Sequence, residues 1–214
     1  VFGGTTLGPI RGEAGARFDP TQFTWVGTPK TETNPCVAFN SSRVAVKTLG
    51  DLYEKELVVG NNGVGTAPYF YPKALNALVH TKFRLVGGFP GMANIFLAME
   101  RGEIEGVCGG TLEGLITLRP DWIPQKRIVI LFYGGTPHPL LKEVPAMTDL
   151  AKNADDKAVI EFLSAAPSLG RPFIAPPGIP GELANTLQSA FMATMEGPEF
   201  RAEALKQQLE VEPK

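Results

Sequence analysis

Five short apolar runs rich in β-branched residues set the tightest limit on the fold. They are "NPCVAFN" (Asn34–Asn40), "ELVVG" (Glu56–Gly60), "FRLVGG" (Phe83–Gly88), "IEGVCGG" (Ile104–Gly110) and "RIVILFYGG" (Arg127–Gly135). Each has a strand's length and several end in glycine, while segments of helical period lie between them. That alternation predicts an α/β fold with largely parallel strands, because crossover helices bury both faces of such a sheet. A length of 214 residues with 43% hydrophobic content suffices for one such domain or two small ones. No internal repeat or low-complexity tract interrupts the pattern.

The helices read most clearly in "GMANIFLAMERGE" and "GELANTLQSAFMATMEG". Met92, Ile95, Phe96 and Met99 make one apolar stripe in the first, which Gly102 stops. Leu183, Leu187, Phe191 and Met195 share a face in the second, with Gly197-Pro198 as terminator, and a short helix follows in "PEFRAEALKQQL". Two proline-rich stretches, "TPKTETNPC" and "APSLGRPFIAPPGIPG", read as joints of non-helical backbone. If they are two crossings of one hinge, the middle of the chain forms one domain and its two ends form another.

A formal charge of −2, with Lys and Arg scattered, offers no general attraction for nucleic acid or anionic lipid. No run approaches the roughly 20 apolar residues of a membrane span, which predicts no membrane insertion. His80 and His138 have no partner pattern, so neither a metal centre nor a Ser-His-Asp triad is indicated, and no cofactor is expected. Cys36 and Cys108 form no CxxC motif; they read either as two buried small hydrophobes or as a disulfide of an oxidising compartment.

Two glycine-rich turns carry the functional signal. "GNNGVGT" (Gly60–Thr66) joins a strand to a helix, where free backbone N–H groups and the helix dipole suit an anion. Gly63 and Gly65 would let the backbone approach a ligand, and Thr66 would cap the helix or donate its hydroxyl; the competing reading is an ordinary strand-to-helix turn. No Lys precedes Thr66, so this is not a Walker A loop, and GxxGxG spacing does not match the dinucleotide fingerprint. Pro72 argues for a helix start nearer Tyr71. "GGFPGMAN" repeats the arrangement one unit later, with Phe89 as a ligand flank or a lid over the core and Gly91 before the helix. Of Glu100, Glu103 and Glu105, only Glu105 invites a catalytic role, and with no histidine or activated nucleophile nearby the chain reads as a non-enzyme.

"FDPTQFTWVG", "GGFPGMANIFLAMERGEIEG" and "GRPFIAPPGIPGELANTLQSAFMATMEGPEFRAEA" resemble the extracytoplasmic solute receptors of tripartite tricarboxylate transporters, the Bug or TctC family. The resemblance runs along nearly the whole chain. It implies a periplasmic-binding-protein-like fold of type II, the Venus flytrap, with two α/β domains, mixed sheets and a double-strand hinge. The domains would be 1–37 with 168–214, and 38–167. It also implies a periplasmic location, a small carboxylate ligand and the membrane subunits of a transporter as partner. Rival readings are an α/β enzyme acting on a carboxylated metabolite and a ligand sensor for a signalling partner.

Carried over by motif, Asn61, Asn62, Gly63, Gly65 and Thr66 match the family's ligand loop. Phe89 and Gly91 fall in the next loop, and Thr5 and Thr6 of "GGTTLG" in a loop of the first domain. Cys108-Gly109-Gly110 stands where many relatives carry Phe-Asp-Asn, which implies a roomier pocket lined by Cys108 and Gly109. The chain opens at "VFGGTT" without an initiator Met, and the resemblance places the family's first strand and glycine-rich loop upstream of Val1. The family's ligands range from C4 to C8 dicarboxylates through citrate-like and aromatic acids to some neutral or amino compounds. No single ligand is legible.

Overall fold

A computed structural model describes residues 6–13, 15–207 and 209–214. In chain order the main elements are β1 (Thr24–Gly27), β2 (Thr33–Phe39), β3 (Leu57–Gly60), α1 (Ala67–Val79), β4 (Phe83–Val86), α2 (Met92–Arg101) and β5 (Gly106–Cys108). There follow α3 (Leu112–Leu118), β6 (Ile128–Gly135), α4 (Ala154–Leu169), β7 (Phe173–Ala175), α5 (Gly181–Glu196) and α6 (Pro198–Lys206). No helix among the described residues is long and apolar enough to cross a membrane.

The chain divides into two compact units, Val1–Glu32 with Ala166–Lys214, and Thr33–Ala165. Both crossings differ from the expected 1–37/168–214 and 38–167 division. Strand β2 is buried along six of its seven residues in the sheet of the second unit, so the first crossing precedes it. The second crossing falls inside α4.

All five apolar runs enter one sheet of the second unit, in the order β4-β3-β5-β2-β6. Strands β3, β4 and β5 are parallel, and β2 runs antiparallel between β5 and β6, so the sheet is mixed. Alternate residues feed two cores. Cys36, Ala38, Leu57, Val59 and Cys108 face Tyr71, Leu75 and Val79 of α1, whereas Val37, Val58 and Val107 face Ile95, Phe96 and Met99 of α2 and Leu112 and Leu115 of α3. The fully buried Trp122 closes the second core, with ring contacts to Phe39 and Phe96 at 5.3 and 5.1 Å.

Helix α1 starts at Ala67 rather than near Tyr71, with Pro68 in its first turn where a proline's missing N–H costs nothing. Pro72 then removes a single ladder bond and is itself buried. Its far end is tied to β4 by Asn76, whose Nδ2 donates to Phe83 O (2.8 Å) and whose Oδ1 accepts from Phe83 N (2.9 Å). Gly102, at φ 74°, ends α2 where the sequence places the stop.

In the first unit β1 and β7 pair antiparallel, and Gly27 leaves room for Phe191 of α5, whose Cε1 lies 2.4 Å from where a Cβ would stand. Thr28 and Lys214 exchange backbone hydrogen bonds of 2.8 and 3.0 Å. The predicted stripe of α5 is covered over only half its length: Phe191 and Met195 are buried, Leu183 and Leu187 exposed.

Candidate functional site

In an open α/β sheet the ligand crevice forms at the carboxyl ends of the strands, where successive connections leave on opposite faces. Here β3 continues into α1 on one face, and its neighbour β5 continues into α3 on the other. The switch point therefore lies between the ends of β3 and β5. The loops 61–66, 87–91 and 109–111 meet there, and none contains a charged side chain. Whatever is held at this place is held by backbone groups and neutral polar side chains.

Asn61 braces the first loop. It is 5% exposed, its backbone N and Nδ2 both donate to Val86 O (2.9 and 3.1 Å), and its Oδ1 accepts from Gly63 N (3.2 Å). The end of β3 is thereby stitched to the end of β4. Gly63 and Gly65 take φ of 120° and 99°, a region open to glycine. The Thr66 hydroxyl donates to Gly63 O (2.7 Å), so its proton serves the turn, and its side chain makes no capping bond to α1. The backbone N–H groups of Val64, Gly65 and Ala67 have no acceptor among the described residues, and they surround the positive end of the 13-residue α1.

In the second loop Phe89 leans on the core beside Ile95 and Ile104, with its ring edge 3.3 Å from a Cβ built on Gly60. It is a lid on the core. Gly91 has an extended φ of −173°, and a Cβ there would meet nothing within 4 Å, so the start of α2 borders open space.

The third loop brings the other two together. Gly109 N donates to Pro35 O (3.0 Å), and Gly109, at φ 96°, packs against the first turn of α1: a Cβ would lie 2.7 Å from Ala67 Cβ and 3.0 Å from Pro68 N. A Cβ on Gly110 would lie 2.4 Å from Met92 Cε. The room expected from a Gly-Gly pair is therefore taken by α1 and by Met92. A narrow apolar cleft opens beside it, lined by Met92, Phe96, Val107, Thr111 and Leu115.

Cys108 is wholly buried and disulfide-bonded to Cys36, its direct partner across β2 and β5, so its thiol is not available to a ligand. Thr6 is 3% exposed and belongs to the first unit; Thr5 lies outside the described residues. Glu105 stands at the amino end of β5, away from the loops, and its Oε2 accepts from Val58 N (2.8 Å). Glu100 accepts two hydrogen bonds from Arg119 (2.8 and 2.9 Å), which hold its carboxyl below the usual range. Among the described residues no cluster of three His, Cys, Asp or Glu side chains could hold a metal ion. Sequence reasoning missed Pro35, Ala67 and Met92, whose roles arise from strand register and helix seating and leave no local motif. Asn62 Oδ1 and Asn34 Oδ1 are buried without a partner among the described residues.

No protein-family model and no curated protein matches the chain. Solved structures do. A ligand-free TctC solute-binding protein from Polaromonas superposes with a TM-score of 0.68 at 15% identity, over 99% of this chain and 67% of that one. The fold is that of the periplasmic solute-binding proteins. The periplasmic binding protein BugD matches over 98% of this chain and 66% of its own, at 14% identity and a TM-score of 0.56. An R. palustris protein solved with adipate matches over 88% and 60%, at 15% identity and 0.54. The chain thus spans three-fifths to two-thirds of the length of these neighbours. Within the solute-binding fold, the loops 61–66, 87–91 and 109–111 are the strand-to-helix turns at the carboxyl edge of the second unit's sheet.

Proposed function

We propose that this chain is an extracytoplasmic solute-binding protein of the TctC or Bug type, which captures a small carboxylate and delivers it to the membrane subunits of a tripartite tricarboxylate transporter. The observation that carries the reading is the convergence, on the Gly109–Gly110 floor, of two helix N-termini, the first of whose loops offers N–H groups without acceptors among the described residues. An uncharged site of this kind holds a carboxylate through amide dipoles and water bridges, and it releases the ligand more readily than a buried Arg clamp would. The TctC and BugD likenesses support the family, and the adipate in the R. palustris structure supports the ligand class. Binding without turnover is favoured because Glu105, the one carboxylate singled out as a catalytic candidate, serves the sheet at its opposite end.

Calorimetric titration of the protein with adipate, citrate and benzoate, against glucose and arginine as controls, tests the reading. At least one carboxylate should bind with a Kd near micromolar, about −8 kcal/mol, and be recovered chemically unchanged. Binding of a control alone, or conversion of a carboxylate, would replace this function with another.

A further inference from the structure

We propose that the Cys36–Cys108 disulfide is a positioning element of the ligand site, one that fixes the strand end from which the floor between α1 and α2 is hung. The inference rests on the switch-point loops being the site, but its main test does not.

Strand β5 has three residues. Its ladder to β3 consists of the pair Val59 and Gly106 at its amino end, and toward its carboxyl end it is held by β2, where Cys36 faces Cys108. Both cysteines are wholly buried, and their bond closes a separation of 72 residues. One residue on, Gly109 N donates to Pro35 O and the glycine seats the first turn of α1; the next residue, Gly110, meets Met92, the first residue of α2. The bond thus ties β5 to β2 one residue before the place where both helix N-termini are spaced. The other end of β5 is secured separately, because Phe39 N donates to Glu105 O (2.7 Å) and Glu105 N to Val58 O (2.8 Å). Loss of the bond should therefore loosen one end of the strand and leave the other.

The experiment compares the oxidised protein with protein treated with dithiothreitol. Two thiol–disulfide exchanges break the Cys36–Cys108 bond, each sulfur takes up a proton, and the reagent leaves as its cyclic disulfide. Amide hydrogen exchange is then followed without ligand. Gly109, Tyr69 and Ile95 should exchange at least about tenfold faster after reduction while Phe39 and Glu105 keep their protection, as a local opening requires. Equal acceleration at all five amides, or none at Gly109, overturns the proposal. If the reduced protein unfolds, a Cys36→Ala, Cys108→Val protein that refills the space gives the same comparison, and unfolding of that protein too would show that the bond holds the whole unit rather than the floor. A parallel titration with adipate should show a similar loss of affinity in the reduced form. If adipate binds neither form the carboxylate reading fails, but the exchange data still decide the positioning role.

Discussion

Gly109 approaches Ala67 so closely that a Cβ on the glycine would stand 2.7 Å from the Ala67 Cβ and 2.8 Å from its carbonyl carbon. The obstructing atoms include backbone, which cannot swing aside, and the φ of 96° adds strain for any L side chain. Gly109→Ala should destabilise the protein by about 2 to 4 kcal/mol, the sum of overpacking and backbone strain. Urea unfolding measures it, and a loss below about 0.5 kcal/mol, the range of an ordinary surface change, would mean that α1 is not seated on this loop.

Gly91 is the opposite case. Its extended φ suits any residue and its Cβ direction is empty, so Gly91→Val should leave the melting temperature nearly unchanged. The added side chain would stand where a ligand meets the start of α2. Carboxylate affinity should fall at least about tenfold, equivalent to 1.4 kcal/mol. Full affinity in a stable Gly91→Val protein would remove the second loop from the site.

Asn61 joins the ends of two strands through side-chain bonds to Val86 O and from Gly63 N while nearly buried. Truncation to Ala deletes both bonds and leaves the Gly63 amide without its acceptor, at a cost of about 1 to 3 kcal/mol. Asn61→Asp keeps an acceptor for Gly63 but offers Val86 O only a carboxylate, so it should be no better. Chemical denaturation of the two variants checks the ranking, and an Asp variant as stable as the parent would show that the bond to Val86 contributes nothing.

Glu100 and Arg119 are each about one-fifth exposed and share two hydrogen bonds, chiefly responsible for the lowered Glu100 pKa. A pKa depressed by folding contributes stability above the ordinary carboxylate value of 4.5 and loses it as the pH falls through the folded value. Glu100→Gln should therefore cost about 1 kcal/mol near neutral pH. That gap should close as the solution is acidified below pH 4.5. Thermal melts across that range decide it: a gap independent of pH would show the ion pair to be incidental.

Helix α2 is legible from its stripe and its stop because both signals are local: Ile95, Phe96 and Met99 are buried, and Gly102 takes the left-handed conformation. The two loops at the ends of β3 and β4 are legible for the same reason. Strand β2 is harder. Pro35 argues against a central strand, yet it lies in one, next to a register shift between Cys36 and Val37, and its carbonyl is what Gly109 binds. Pro167 likewise sits in the last turns of α4, where the proline-rich composition predicts a non-helical joint. The Gly109–Gly110 pair reads as empty room in sequence and is filled in space, since only the fold brings Ala67 and Met92 to it. The disulfide depends on a pairing of strands 72 residues apart, which no spacing rule reveals.

The arrangement of β2 also dictates an order of events on the ribosome. Thr33–Ala165 is one uninterrupted stretch, so its sheet can assemble as soon as β6 has been made and paired with β2. The other unit has no such freedom. Its first segment ends at Glu32, and Thr28 and Pro29 bond to Lys214 and Glu212. Thr28 and Pro29 cannot complete these bonds until residues 212–214 have been made. Contacts of such long sequence separation form slowly. The Thr33–Ala165 unit can therefore close on its own segment, whereas the other unit closes only when residues 28–29 and 212–214 meet.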